Sequence, residues 1–264
     1  MRTISCFIKT FKENIRDWKI LILVLVFAPF FVYMMHFYFL NAESAGFSAD
    51  DFSSYIPAML VLAIIMMIFS AGASIVREIE KDTITRLSLS KLKSSEFMTS
   101  LSLNQIIIGL LCLLLTLFAS FSIGYKTSGS ILLFLLAGIL TCFSVISISI
   151  ITACFIRTMF GLLTLGCFPF FILVFFSDCF FPLPKINLCK IADNQVYITD
   201  ILPTATGTRV FHEILNQNCG FSDILFELIW ILVLSLVYFF IGIWLFKKKY
   251  KYQEVQRHNG AMTF

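Results

Sequence analysis

Charge is scarce in this chain. Of its 264 residues, 14% are Asp, Glu, Lys or Arg, and 59% are hydrophobic. Soluble domains carry about 25% charged residues, so a soluble globular protein is excluded. No polar stretch is long enough to bury a core of its own, which leaves one membrane domain over residues 1–264. The eight cysteines form no C-x-x-C pair and no zinc-ligand spacing, so no metal is expected. "GYKTSG" (124–129) lacks the adjacent Gly-Lys-Ser/Thr of a phosphate loop, and no Walker motif occurs elsewhere; the chain is not expected to hydrolyse ATP itself. No Ser–His–Asp set and no paired carboxylates sit within the apolar runs, so an enzyme is not expected and no catalytic residue is assigned. Strong internal repeats and clusters of buried acids are missing as well, which argues against a proton-driven secondary carrier.

Long apolar runs are plentiful. A membrane helix needs about 20 mostly apolar residues. Six spans are expected, at about 20–41, 54–76, 100–125, 130–155, 159–180 and 225–246, which makes the fold all-α. Pro169 falls inside the fifth and predicts a kink there. The first run is span-length and lacks a small-residue cleavage site, so it reads as a span and not as a removed signal. Lys and Arg crowd one side. Arg2, Lys9, Lys12, Arg16 and Lys19 precede span one; Arg77, Lys81, Arg86, Lys91 and Lys93 follow span two; Arg157 follows span four; Lys247, Lys248, Lys249, Lys251 and Arg257 follow span six. The other side has Lys126, Lys185, Lys190 and Arg209. The positive-inside rule therefore predicts both termini in the cytoplasm, in a cell (inner or plasma) membrane. The net charge of +4 reflects this bias and not a nucleic-acid surface.

Residues 1–19 repeat Ile4, Phe7, Ile8, Phe11, Ile15 and Trp18 at helical spacing, with basic residues on other faces. This predicts an amphipathic helix in the membrane interface, in contact with lipid. Residues 178–223 form a half-apolar segment broken by Pro182, Pro184 and Pro203, expected to be re-entrant or interfacial, with a short helix in "TATGTRVFHEIL". Cys189 and Cys219 lie on that side and are a candidate disulfide pair, with free thiols as the alternative. His36 and Asp178 sit near span ends. The histidine reads as part of an aromatic belt, and two such residues do not make a proton relay.

One charged break interrupts the hydrocarbon. "REIEKDTITRLSLSKLKSSEFMTSLSL" (77–103) mixes both signs with apolar residues, which suits a short helix that docks onto another protein. The alternative is an ordinary solvated loop. This stretch resembles the loop after the second span in the type-2 permease family of ATP-binding-cassette (ABC) exporters, where R-E-x-E-x-G-T-x-x-x-L-x-x-[ST]-P-[LI] is common. Arg77, Glu78, Glu80, Thr83 and Leu87 match by position; Asp82 replaces the usual glycine and Lys91 the usual proline. "FFPLPKI…ILPTATGTRVFHEIL" resembles the family's stretch before the sixth span.

The resemblance implies a coupling helix over about 77–93 that seats in a separate ATPase subunit, with Arg77, Glu78, Glu80, Lys81, Thr83 and Arg86 as contact candidates. It implies ATP and Mg in that partner and no cofactor in this chain. Two ATPase copies and a second permease copy, identical or homologous, are expected. It also implies a substrate path between spans two and five. Met66, Met67, Phe69, Phe170 and Phe171 are the candidates there, because methionine adapts to varied apolar shapes. The small residues Ser70 to Ser74 suit close helix approach. The function implied is export of an apolar or amphipathic substrate such as a drug, antimicrobial peptide, lipopeptide or lipid. The alternatives are the secondary carrier and a non-transporting immunity or assembly partner.

Overall fold

The computed structural model describes residues 2–42, 49–81, 94–177, 187–191 and 194–260. The helices are α1 (Arg2–Arg16), α2 (Trp18–Ala42), α3 (Ala49–Ile65), α4 (Met67–Glu80), α5 (Ser94–Ser122), α6 (Ile131–Phe155), α7 (Met159–Leu165), α8 (Cys167–Phe175), α9 (Pro203–Leu215) and α10 (Leu225–Gly260). A hairpin, β1 (Asn187–Ile191) and β2 (Asn194–Tyr197), precedes a short 3-10 turn at Ile198–Ile201. The two strands are antiparallel, with Lys190 opposite Gln195 and Ile191 opposite Asn194. Every membrane element is helical, as an apolar solvent requires. The hairpin is the one departure from all-α structure among the described residues, and it lies in the segment expected to be irregular.

Five helices are long and apolar enough to cross a membrane: Trp18–Leu40, Phe52–Glu80, Ser95–Ser122, Ile131–Phe155 and Leu225–Lys249. The fifth expected span is instead the shorter apolar stretch Met159–Phe175, in two pieces that meet at Gly166. The break has a simple cause. Pro169 has no N–H to donate, and a helix's first turn is where that missing donor leaves no carbonyl unpaired. Starting α8 at Cys167 places it there.

The second span (α3 and α4) is the centre of the molecule. Residues Ile56 to Ile68 are almost all buried within the one chain, whereas the first span shows Ile22, Leu23, Val26 and Phe30 to its surroundings. Helix α6 packs along α10, α4 and α9; α2 lies on α3 and α5; α1 lies on α5. Pro57 inside α3 leaves the Ser53 carbonyl without its helical donor. Asn216 Nδ2 supplies one at 3.4 Å from the end of α9. The same Asn216 accepts from Tyr125 Oη at 2.6 Å. Gly129 completes this strap, since a Cβ there would lie 1.8 Å from the Ile214 carbonyl oxygen.

Candidate functional site

The charged break leaves α4 at its last turn, so the side chains of that turn decide what the loop is attached to. Glu78 is buried and accepts from Lys9 Nζ at 2.8 Å. Lys9 also stands 3.7 Å from Glu13, one turn along α1. Arg77 pairs with Asp17 and donates to the Glu13 carbonyl at 3.3 Å and to Asn14 Oδ1 at 3.4 Å. Adjacent residues of opposite sign thus bind a base of α1, Lys9, and the acid just past its end, Asp17, with the Glu13 carbonyl between them. Two crossed pairs resist sliding of α1 along α4 in either direction, because any shift separates unlike charges or brings like ones together.

The electrostatics agree with that geometry. Burial pulls the Lys9 pKa down, but the Glu78 hydrogen bond and the charges of Glu78 and Glu13 outweigh it, and the net shift is upward. Burial, then the Glu78 carboxylate, pushes Glu13 above the usual carboxylate range.

From this clamp a line of polar side chains continues into the helical core. Ser74 Oγ donates to Asn14 Oδ1 at 2.8 Å. Gln105 Nε2 on α5 donates to Ser74 Oγ at 2.8 Å, and Ser70 Oγ donates to Gln105 Oε1 at 2.9 Å. Gln105 is fully buried. Such bonds join helices in hydrocarbon, where an unpaired amide is costly. The small-residue cluster Ser70 to Ser74 therefore has two uses. Ser70 and Ser74 bond to α5 and α1. Gly72 admits α7, for a Cβ there would meet Leu162 Cδ1 at 2.7 Å.

The six expected contact residues separate into groups. Arg77 and Glu78 are turned toward α1. Glu80 and Lys81 are exposed at the end of an otherwise buried span. Thr83 and Arg86 lie outside the described residues. The sequence showed the charges of the loop but not the partner of each. Lys9, Glu13, Asn14 and Asp17 were missed as site residues, since their signal is only a charged face on α1 with no visible counterpart.

The five expected path residues separate too. Met67 is sealed inside the chain, and Met66 is 6% exposed at the joint between α3 and α4. Phe69, Phe170 and Phe171 form a continuous aromatic row. Phe69 and Phe170 rings are 5.4 Å apart, and Phe170 and Phe171 rings meet edge-on at 5.5 Å. Phe171 is 52% exposed. The row sits at the joint of the broken α7–α8 stretch, whose Gly166 lies against Phe69.

At the opposite end, a second polar centre escaped the sequence reading. Asp200 is buried and accepts from Tyr197 N–H at 2.9 Å and from Arg209 Nη2 at 3.1 Å. Thr206 Oγ1 donates to the same carboxylate at 3.4 Å, and Trp230 Nε1 donates to the Asp200 carbonyl at 2.9 Å. This ties the segment after the hairpin to α9 and α10. Cys219 is a free thiol near Gln217; the side chain of Cys189 lies outside the described residues. His36 packs against Phe52 with the rings tilted by 59° and their centroids 5.2 Å apart. Among the described residues, no group of His, Cys, Asp and Glu could hold a metal ion.

No curated protein matches the chain. A family model described as ABC-2 type transporter matches residues 1–204, which takes in the clamp, the charged loop, the aromatic row and the Asp200 turn. With its helical spans and the charged loop leaving the central one, the chain belongs to the ABC-2 type transporter family and is a membrane permease.

Proposed function

We propose that this permease is driven by a separate ATPase subunit that docks on the loop after α4 and exports an apolar or amphipathic substrate. The observation that carries the reading is the clamp. A loop that receives force from a partner must be rooted in something stiff, and Arg77 and Glu78 root this one in both α1 and the buried second span. Glu80 and Lys81 then remain at the surface for the partner. Thr83, by its place in the family pattern, and Arg86, one turn beyond Asp82 in the same charged stretch, complete the contact set.

ATP and Mg²⁺ would be bound in the partner, and this chain contributes no nucleotide-binding residue. Both termini lie in the cytoplasm under this reading, which follows the Lys and Arg distribution. Two permeases and two ATPase subunits form the working unit, as an ABC motor closes by pairing its nucleotide-binding subunits. The row Phe69–Phe170–Phe171, which reaches the surface at Phe171, is assigned to the side of the second permease as an apolar wall for the substrate, with Met66 and Met67 as the adaptable members of the path.

Co-purification tests this. Tagged chain, extracted gently from its native host, should retain a stoichiometric subunit with Walker motifs. Glu80→Lys with Lys81→Glu should release it. A wild-type preparation with no such subunit would refute the coupling reading and favour an accessory membrane protein.

A further inference from the structure

Helix α1 presents three faces, and one of them has no protein partner among the described residues. Cys6, Thr10 and Asn14 are buried, and Lys9, Glu13 and Asp17 bind the end of α4. Ile8, Phe11, Ile15 and Trp18 form an exposed apolar stripe, 37–58% exposed. That stripe runs on into Ile22, Leu23 and Val26 of the first span, which are exposed to the same degree. An apolar face continuous with a membrane span is covered by lipid. Beside it stand Lys12, Arg16 and Lys19, spaced by four and three residues and all exposed. The ion pairs among the described residues use Lys9, Arg77 and Arg209, and none uses these three.

Three unpaired cations in line, flanking a lipid-covered stripe at the mouth of a span, match a row of phosphate-bearing headgroups in charge and position. We propose that Lys12, Arg16 and Lys19 form a docking stripe for anionic phospholipid, which holds α1 and, through the clamp, the root of the charged loop. The lipid contact stands on the geometry of α1 alone. Its consequence for the loop rests on the function proposed above.

The test uses the full chain in vesicles of phosphatidylcholine containing phosphatidylglycerol, with bromine on the chains of one lipid or the other. Quenching of Trp18 is taken as the difference between the chain and its Trp18→Phe variant. Each cation near an anionic surface favours it by about fivefold, so brominated phosphatidylglycerol should quench well beyond its share of the bilayer. The triple variant K12Q/R16Q/K19Q should quench in proportion to composition. Hydrogen exchange at backbone amides 77–81 should be faster in that variant and faster in pure phosphatidylcholine. Equal quenching by the two lipids in the unmodified chain, or selectivity that survives the triple variant, overturns the docking stripe. Selectivity lost with amide exchange unchanged overturns the link to the loop. None of these readings involves an ATPase subunit, so they fail separately from the proposed function.

Discussion

Replacing Lys9 by Met isolates the clamp. Glu78 keeps 9% of its side chain exposed and would be left with no cation at 2.8 Å. Breaking a fully buried ion pair from one side costs about 3–5 kcal/mol. Lys9, however, is 42% exposed, and solvent screens its share, so the expected loss is about 1–2 kcal/mol. In a chain of this size that lowers the thermal midpoint by about 2–8 °C. The informative variant is the double one. Lys9→Met with Glu78→Leu removes the carboxylate as well as the cation, and replacing a whole ion pair by apolar groups is often neutral. The cycle should therefore show a coupling of about 1–2 kcal/mol, with the double variant more stable than the Glu78 loss and the Lys9 loss added together. Thermal unfolding in detergent, followed by circular dichroism, supplies all four corners. A Lys9→Met midpoint equal to that of the unmodified chain, or single losses that simply add, would refute the clamp.

Four further outcomes are expected. Charge reversal at Glu80 and Lys81 should abolish ATPase retention while leaving the midpoint within about 4 °C, since exposed sites away from packing shift stability by less than about 0.5 kcal/mol each; a larger midpoint loss would place both residues inside the fold. Glu13→Gln should be neutral or stabilising at pH 7. Its folded pKa is raised, first by burial and then by Glu78, so its favourable contribution is present below the ordinary carboxylate value and is lost as pH rises through the raised one. The midpoint difference between variant and parent should shrink on acidification, and a difference that grows would contradict the sign. Asp200→Ala should cost about 2–3 kcal/mol by stranding Arg209 and the Tyr197 amide, with Asp200→Asn less severe; unfolding in detergent measures both. Tyr125 has its phenol pushed up to about 12 by burial, so it stays a donor to Asn216 at neutral pH, and Tyr125→Phe should cost about 1–3 kcal/mol because the Asn216 oxygen loses its partner.

Several features of this protein follow from the order of its residues. An apolar run of span length must close its backbone bonds internally, so the helices of the membrane region are legible in the residue order alone. The periodicity of Ile8, Phe11, Ile15 and Trp18 likewise marks one face of α1, and the folded chain leaves that face exposed. The charged break after the second span is visible because sequence records where solvation changes. Pro169 marks a weak point in the fifth apolar run, although periodicity could not say that the helix would restart at Cys167 and keep only 17 residues between Met159 and Phe175.

Other features had no local signal. Arg77 and Glu78 sit in the same pattern as Glu80 and Lys81, yet their partners lie more than 60 residues away on α1. Only packing decides which of two neighbouring charges turns inward. The same holds for Met67 and Phe171, which are equally apolar in sequence and opposite in burial, and for Asp200, whose buried carboxylate gathers a backbone amide, a threonine and an arginine. Sequence determines which groups must leave water or keep it. The tertiary structure alone determines which partner each polar group finds, because that depends on distances between segments remote along the chain.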